Sequence, residues 1–100
     1  MRSYKHPAIE EVRLEDVFYA LSDPVRLEIV NRLAREGQAT CAALDGGRPK
    51  SSMSHHFRVL REAGLVETRN QGVQAINNLR RDELDRRFPG LLDAVLTVAV

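Results

Sequence analysis

Cysteine occurs once in the 100-residue chain, tryptophan not at all, and proline and glycine only four and six times. The single Cys41 rules out an intrachain disulfide and points to a reducing compartment. No apolar run approaches the roughly 20 residues that span a bilayer, and no apolar leader stands at the N-terminus. A soluble, cytoplasmic protein with no membrane partner is expected. The usual motifs of catalysis are missing too: no glycine-rich phosphate loop, no nucleophile elbow, no pair of histidines at metal-binding helical spacing. A chain this short encloses no sizeable substrate pocket within one subunit, so neither an enzyme nor a bound cofactor is expected.

Net charge is also small, +1 over the whole chain. It is unevenly spread. Between Arg48 and Arg81 stand seven basic residues and two acidic ones, a net +5, which leaves the remainder at −4. A local positive face on a near-neutral protein suits phosphate binding without general stickiness.

What is present is helical patterning. Residues 1–11 show no periodicity and read as an arm; residues 12–100 read as a single domain. Leu14, Val17, Phe18 and Leu21 follow the one-faced helical repeat. Asp23-Pro24 marks a break, with Asp23 as N-cap and Pro24 as the first residue of a second helix carrying Val25, Ile29, Val30 and Leu33. A short helix near residues 39–44 precedes the turn Asp45-Gly46-Gly47-Arg48-Pro49, and a further helix runs over 50–63 to a stop at Gly64. Leu65 to Arg69 and Val73 to Leu79 read as a hairpin, and a final helix from Asp82 is interrupted at Pro89-Gly90. The expected fold is mainly α with a small β-hairpin wing, in the order α-α-α-α-β-β-α.

The helix over 50–63 decides the functional expectation. Met53, Phe57 and Leu60 form one apolar face, with His56 at its margin; Ser51, Ser54, His55 and Arg58 lie on the other side. Slim hydroxyls followed by His and Arg suit a helix laid in the major groove of double-stranded DNA, where side chains meet base edges and phosphates. Lys50, Ser51 and Ser52 open the helix, where a positive dipole end favours a phosphate. A solvated surface would carry the same residue types. The preceding short helix and tight glycine turn, however, give a helix-turn-helix layout. The hairpin adds a wing whose Arg69, Gln71 and Gln74 are placed for the neighbouring minor groove or backbone.

The segments Ala20-Leu21-Ser22-Asp23-Pro24-Val25-Arg26-Leu27 and Ser54-His55-His56-Phe57-Arg58-Val59-Leu60-Arg61-Glu62-Ala63-Gly64-Leu65-Val66 resemble the arsenic-repressor (ArsR/SmtB) type of winged-helix regulators. The likeness extends over about residues 14–98. It implies a homodimer joined by the first and last helices, a DNA-recognition helix over 50–63, and repression of a palindromic operator relieved by a signal. Leu14, Val17, Phe18, Leu91, Leu92, Val95 and Leu96 are then the expected dimer contacts. The chain departs from the family's metal sensors. Gln38-Ala39-Thr40-Cys41-Ala42-Ala43-Leu44 holds one sulfur where those sensors carry a Cys-x-Cys-like pair, and the last helix lacks their His and carboxylate ligands. No metal site is expected, because zinc takes about four ligands.

Cys41 has two readings, a small packing residue or a redox-sensing thiol. His56 is expected half-buried at the junction of helix and wing, and His6 solvated in the arm. The Arg80-Arg81 and Arg86-Arg87 pairs alternate with acids and read as a solvated helix face, with Arg80 and Arg81 also in reach of a DNA backbone. A small-molecule or redox effector at a dimer interface fits the lack of metal ligands. A protein-interaction module on the same scaffold is the competing function, and salt-dependent DNA binding separates the two.

Overall fold

The computed structural model describes residues 3–98, so the first two residues of the expected arm and the last two of the expected domain lie outside the described residues. A 3-10 turn at Ile9–Glu11 leads into α1 (Leu14–Leu21) and α2 (Pro24–Glu36). Next come β1 (Gln38–Thr40), α3 (Cys41–Leu44), α4 (Lys50–Glu62), β2 (Val66–Gln71) and β3 (Gln74–Leu79). Then follow α5 (Arg81–Arg87) and α6 (Leu91–Val98).

Local chemistry sets most of the boundaries. Asp23 caps α2, its Oδ1 accepting from the Val25 and Arg26 N–H groups at 2.8 and 3.2 Å, with Pro24 as the first helical residue. Burial works to raise the Asp23 carboxyl, but those two N–H donors and the neighbouring His56 and Arg26 outweigh it and hold the group below its ordinary range. Thr40 caps α3 through the Ala43 N–H at 3.0 Å. At the end of α4, Leu65 N–H donates to Leu60 O and Gly64 N–H to Arg61 O, a Schellman arrangement around Gly64 at φ +86°. A Cβ at Gly64 would also run into Val12, so both the turn and the close packing require glycine there.

The wing is larger than a hairpin. β2 and β3 pair antiparallel across the two-residue Gly72-Val73 turn, the glycine-first arrangement of type II′. β1 joins the far side of β3, with Gln38 opposite Asn78 and Thr40 opposite Ile76, giving the order β1-β3-β2. Ala39 and Thr40, expected as the start of the short helix, are therefore strand together with Gln38. A strand of three residues has no legible period, and its partner lies far along the chain.

The core is drawn from every layer: Val17 of α1, Ile29, Val30 and Leu33 of α2, Met53, Phe57 and Leu60 of α4, Leu65 and Val66 entering β2, Leu84 of α5 and Leu92 of α6. Burying each of these apolar side chains contributes about 1.5–3 kcal/mol. Two expected dimer contacts are spent here. Val17 (0% exposed) and Leu92 (1%) face the protomer's own interior, whereas Leu14 and Phe18 remain 40% and 52% exposed. The apolar stripe of α1 is wider than the strip the core covers; the core takes the side with Val17, Ala20 and Leu21. Leu91, Val95 and Leu96 are half-buried against the core.

The arm is docked rather than solvated. His6 Nε2 accepts the Thr68 N–H of β2 at 2.9 Å, and the Pro7 carbonyl accepts from Arg80 at 2.8 Å. Being an edge strand, β2 has backbone groups to satisfy on its outer side. His6 meets one of them.

Candidate nucleic-acid interface

The arrangement of α3, turn and α4 fixes which face of α4 looks outward. Met53, Phe57 and Leu60 are locked into the core, and Ser51, Ser52, Ser54, His55 and Arg58 stand exposed with Lys50 at the helix start. Gly46 and Gly47, at φ +60° and +79°, make the bend that turns α4 away from α3. At the wing, Arg69, Gln71 and Gln74 are exposed, Gln71 and Gln74 forming the last pair before the turn. The helix and wing residues singled out from the sequence thus all lie on the surface. Val73, at the tip, is exposed as well.

Not all of the positive charge is free. Arg48 pairs with Glu28 at 3.2 Å and Arg58 with Glu62 at 3.5 Å, and the Arg69 guanidinium donates to Gln38 at 3.1 Å. The Arg48 and Arg58 pairs are exposed and worth little in water, so exchange for a phosphate is inexpensive. Arg80 is different: it is nearly buried and holds Glu83 and the Pro7 carbonyl. Arg81 pairs with Asp85 at 3.2 Å and also with Asp93. These two serve the fold.

His56 does not stand at the junction with the wing. Its Nδ1 lies 3.2 Å from Nη1 of Arg26 and 4.0 Å from Oδ1 of Asp23, so it joins α4 to the start of α2. The reason lies in Arg26, which is only 5% exposed and donates to the Ala20 and Tyr19 carbonyls at 2.7 and 3.2 Å. Arg26 was not singled out, although it falls on the apolar face of α2 one turn before Ile29 and Val30. A charged residue at a core position is the signal that would have found it.

Cys41 is half-buried at the start of α3, and its Sγ accepts from Nδ2 of Asn77 at 3.3 Å. Asn77 itself is fully buried on β3, accepting from the Thr68 hydroxyl at 2.7 Å and donating to the Ala39 carbonyl. This polar node ties the three strands and α3 together. Among the described residues, no group of three or more His, Cys, Asp or Glu stands where it could hold a metal ion. Among them, too, no helix is long and apolar enough to cross a membrane.

A core-anchored helix with a polar outward face, set after a short helix and before a β wing, defines a winged helix-turn-helix protein. Sequence and structure comparisons are consistent with this. A helix-turn-helix domain family model matches residues 21–69. The chain is 34% identical over 89 residues to the uncharacterized HTH-type transcriptional regulator YceK of Bacillus subtilis (strain 168), covering 86% of this chain and 88% of that protein. It is 42% identical over 60 residues to the arsenical resistance operon repressor of Escherichia coli (strain K12), over 56% of this chain and 50% of the repressor. Among solved structures, the transcriptional repressor BigR from Xylella fastidiosa superposes with a TM-score of 0.67 at 31% identity, covering 85% and 84% of the two chains. The ArsR family transcriptional regulator RHA00566 superposes with a TM-score of 0.68 at 25% identity, covering 87% of this chain and 97% of its own. The chain belongs to the ArsR/SmtB type of winged helix-turn-helix transcriptional regulators, a family of DNA-binding regulators and not of enzymes.

Proposed function

We propose that the protein is a homodimeric repressor that holds a roughly palindromic operator and is released by a signal other than a metal ion. The observation that carries this reading is α4: its apolar side is fixed in the core, so Ser51, Ser54, His55 and Arg58 are presented as a rigid polar row. Ser and Arg in that row donate to base edges, with Lys50, Ser52 and the wing residues Arg69, Gln71 and Gln74 on the flanking backbone and minor groove. The exposed Leu14, Phe18 and Tyr19 of α1 support a partner helix in the dimer. Two α4 helices then meet half-sites about 34–36 Å apart. The single cysteine of the chain, Cys41, with no second sulfur beside it on α3, supports a signal other than a metal ion.

The test is fluorescence anisotropy on duplexes from the region upstream of the protein's own gene, at several salt concentrations. Specific binding that weakens steeply with salt, and at least about tenfold on Arg58→Ala, is expected. Salt-insensitive binding, or an unaffected Arg58→Ala, sinks the repressor reading and favours a protein partner for the same face.

A further inference from the structure

Arg61 stands apart from the other arginines that are at least half-buried. Arg26, Arg32, Arg48, Arg80 and Arg81 each donate to a carboxylate or a backbone carbonyl. Arg61 has no carboxylate within ion-pair distance among the described residues. What it has is a ring: its guanidinium carbon lies 4.5 Å from the centroid of Tyr4. A cation drawn partly out of water without an anion is unfavourable. Burial pushes the guanidinium down from its ordinary value, with Arg58 adding to the effect against Tyr4, Cys41 and Glu62.

The place matters as much as the charge. Tyr4 and Arg61 line a cavity of about 470 Å³ together with Ser51, Ser54, His55 and Arg58 of the row described above. The ring reaches it because the arm is anchored just beyond, by His6 on Thr68 and Pro7 on Arg80. A ring against one face of a guanidinium leaves the in-plane N–H groups to donate, the geometry that suits a phosphate.

We propose that Arg61, steadied by Tyr4, seats a DNA backbone phosphate at the edge of the α4 row, and that the docked arm completes this seat. The proposal rests on the DNA-binding reading and extends it to two residues outside the recognised helix face and wing.

The experiment measures operator and scrambled duplexes with the unaltered protein, Arg61→Gln, Arg61→Lys, Tyr4→Phe and Tyr4→Ala, each checked for folding by its thermal melt. Arg61→Gln is expected to weaken both duplexes by about the same factor, on the order of 5–10-fold, and to lower the slope of log affinity against log salt by about one. Arg61→Lys keeps the slope. Tyr4→Phe binds within about twofold of the unaltered protein, and Tyr4→Ala moves toward Arg61→Gln. Should Arg61→Gln not fold, Tyr4→Ala carries the same comparison.

Unchanged slope and affinity in Arg61→Gln, while Arg58→Ala still weakens binding, overturns the seat and leaves the repressor reading standing. Loss of operator discrimination in Arg61→Gln overturns it too, since that marks a base contact. So does stabilisation by millimolar inorganic phosphate that Arg61→Gln abolishes without altering DNA affinity, because the seat then serves a free anion. If the unaltered protein binds no duplex at all, the DNA-binding reading fails and the seat with it.

Discussion

The guanidinium of Arg26 lies 3.2 Å from Nδ1 of His56, and through this pair α4 is held to the end of α1. The same guanidinium donates to the Ala20 and Tyr19 carbonyls in the last turn of α1. The helix itself leaves its last-turn carbonyls short of donors; the Ala20 carbonyl takes Arg26, and the Tyr19 carbonyl shares Arg26 with the N–H and hydroxyl of Ser22. A single buried side chain thus links α1, whose exposed residues are proposed to meet a second subunit, with the helix proposed to meet DNA.

Removing that link is expected to be costly. Arg26→Ala leaves the Ala20 carbonyl and His56 Nδ1 without their donor, and a loss of about 2–4 kcal/mol in urea unfolding is expected. His56→Asn, which keeps an acceptor near the position of Nδ1, should lose about 1 kcal/mol less than His56→Leu. Equal losses in the two variants would mean that the contact is packing and not hydrogen bonding.

Gly64 gives a sharper backbone prediction. Gly64→Ala forces a Cβ at φ +86° against Val12, and destabilisation of about 2–4 kcal/mol is expected. Gly72→Ala in the wing turn meets nothing within 4 Å and bears only its positive φ, about 1 kcal/mol. Calorimetric melting of the two variants checks the difference.

Docking of the arm should depend on pH. His6 accepts the Thr68 N–H, so it must be unprotonated at Nε2. Burial lowers its pKa from the ordinary 6.5, aided by Arg80 and Arg61 and opposed by Glu67. Because the folded value is the lower one, the unfolded chain binds more protons between the two values. The stabilisation is therefore complete above 6.5 and is lost as pH falls through the lowered folded value. The stability difference between the unaltered protein and His6→Gln, followed by urea midpoint, is expected to shrink on acidification; a difference that grows would contradict the assignment.

The proposed dimer rests on α1. Phe18 is 52% exposed beside Leu14, so Phe18→Glu should cost the protomer's own core little while placing a charge in the interface. A folded monomer by sedimentation, with retained helical circular dichroism, is the expected result. A Phe18→Glu dimer as tight as the original would move the interface elsewhere.

Much of this architecture could be read along the chain because its signals are local. Asp23-Pro24 is a cap whose donors lie two and three residues away, Gly64 ends a helix through bonds within five residues, and the two faces of α4 follow from 3.6 residues per turn. The exposure of Ser51, Ser54, His55 and Arg58 came with them. Such features are settled by backbone geometry and near neighbours, whichever fold surrounds them.

The parts that escaped are contacts between segments far apart in the chain. β1 is a strand because Gln38 meets Asn78, and nothing in three residues announces that partner. Val17 and Leu92 looked like members of outward stripes, but the width of the core decided which half of each stripe was covered. His56 was legible as half-buried, yet its partner Arg26, thirty residues away, came only from the packing of α2 against α4. The arm shows the limit most plainly. Tyr4 and His6 carry no periodicity; their places on Arg61 and Thr68 go with a sheet that leaves β2 as an edge and a core that, among the described residues, gives Arg61 no carboxylate partner.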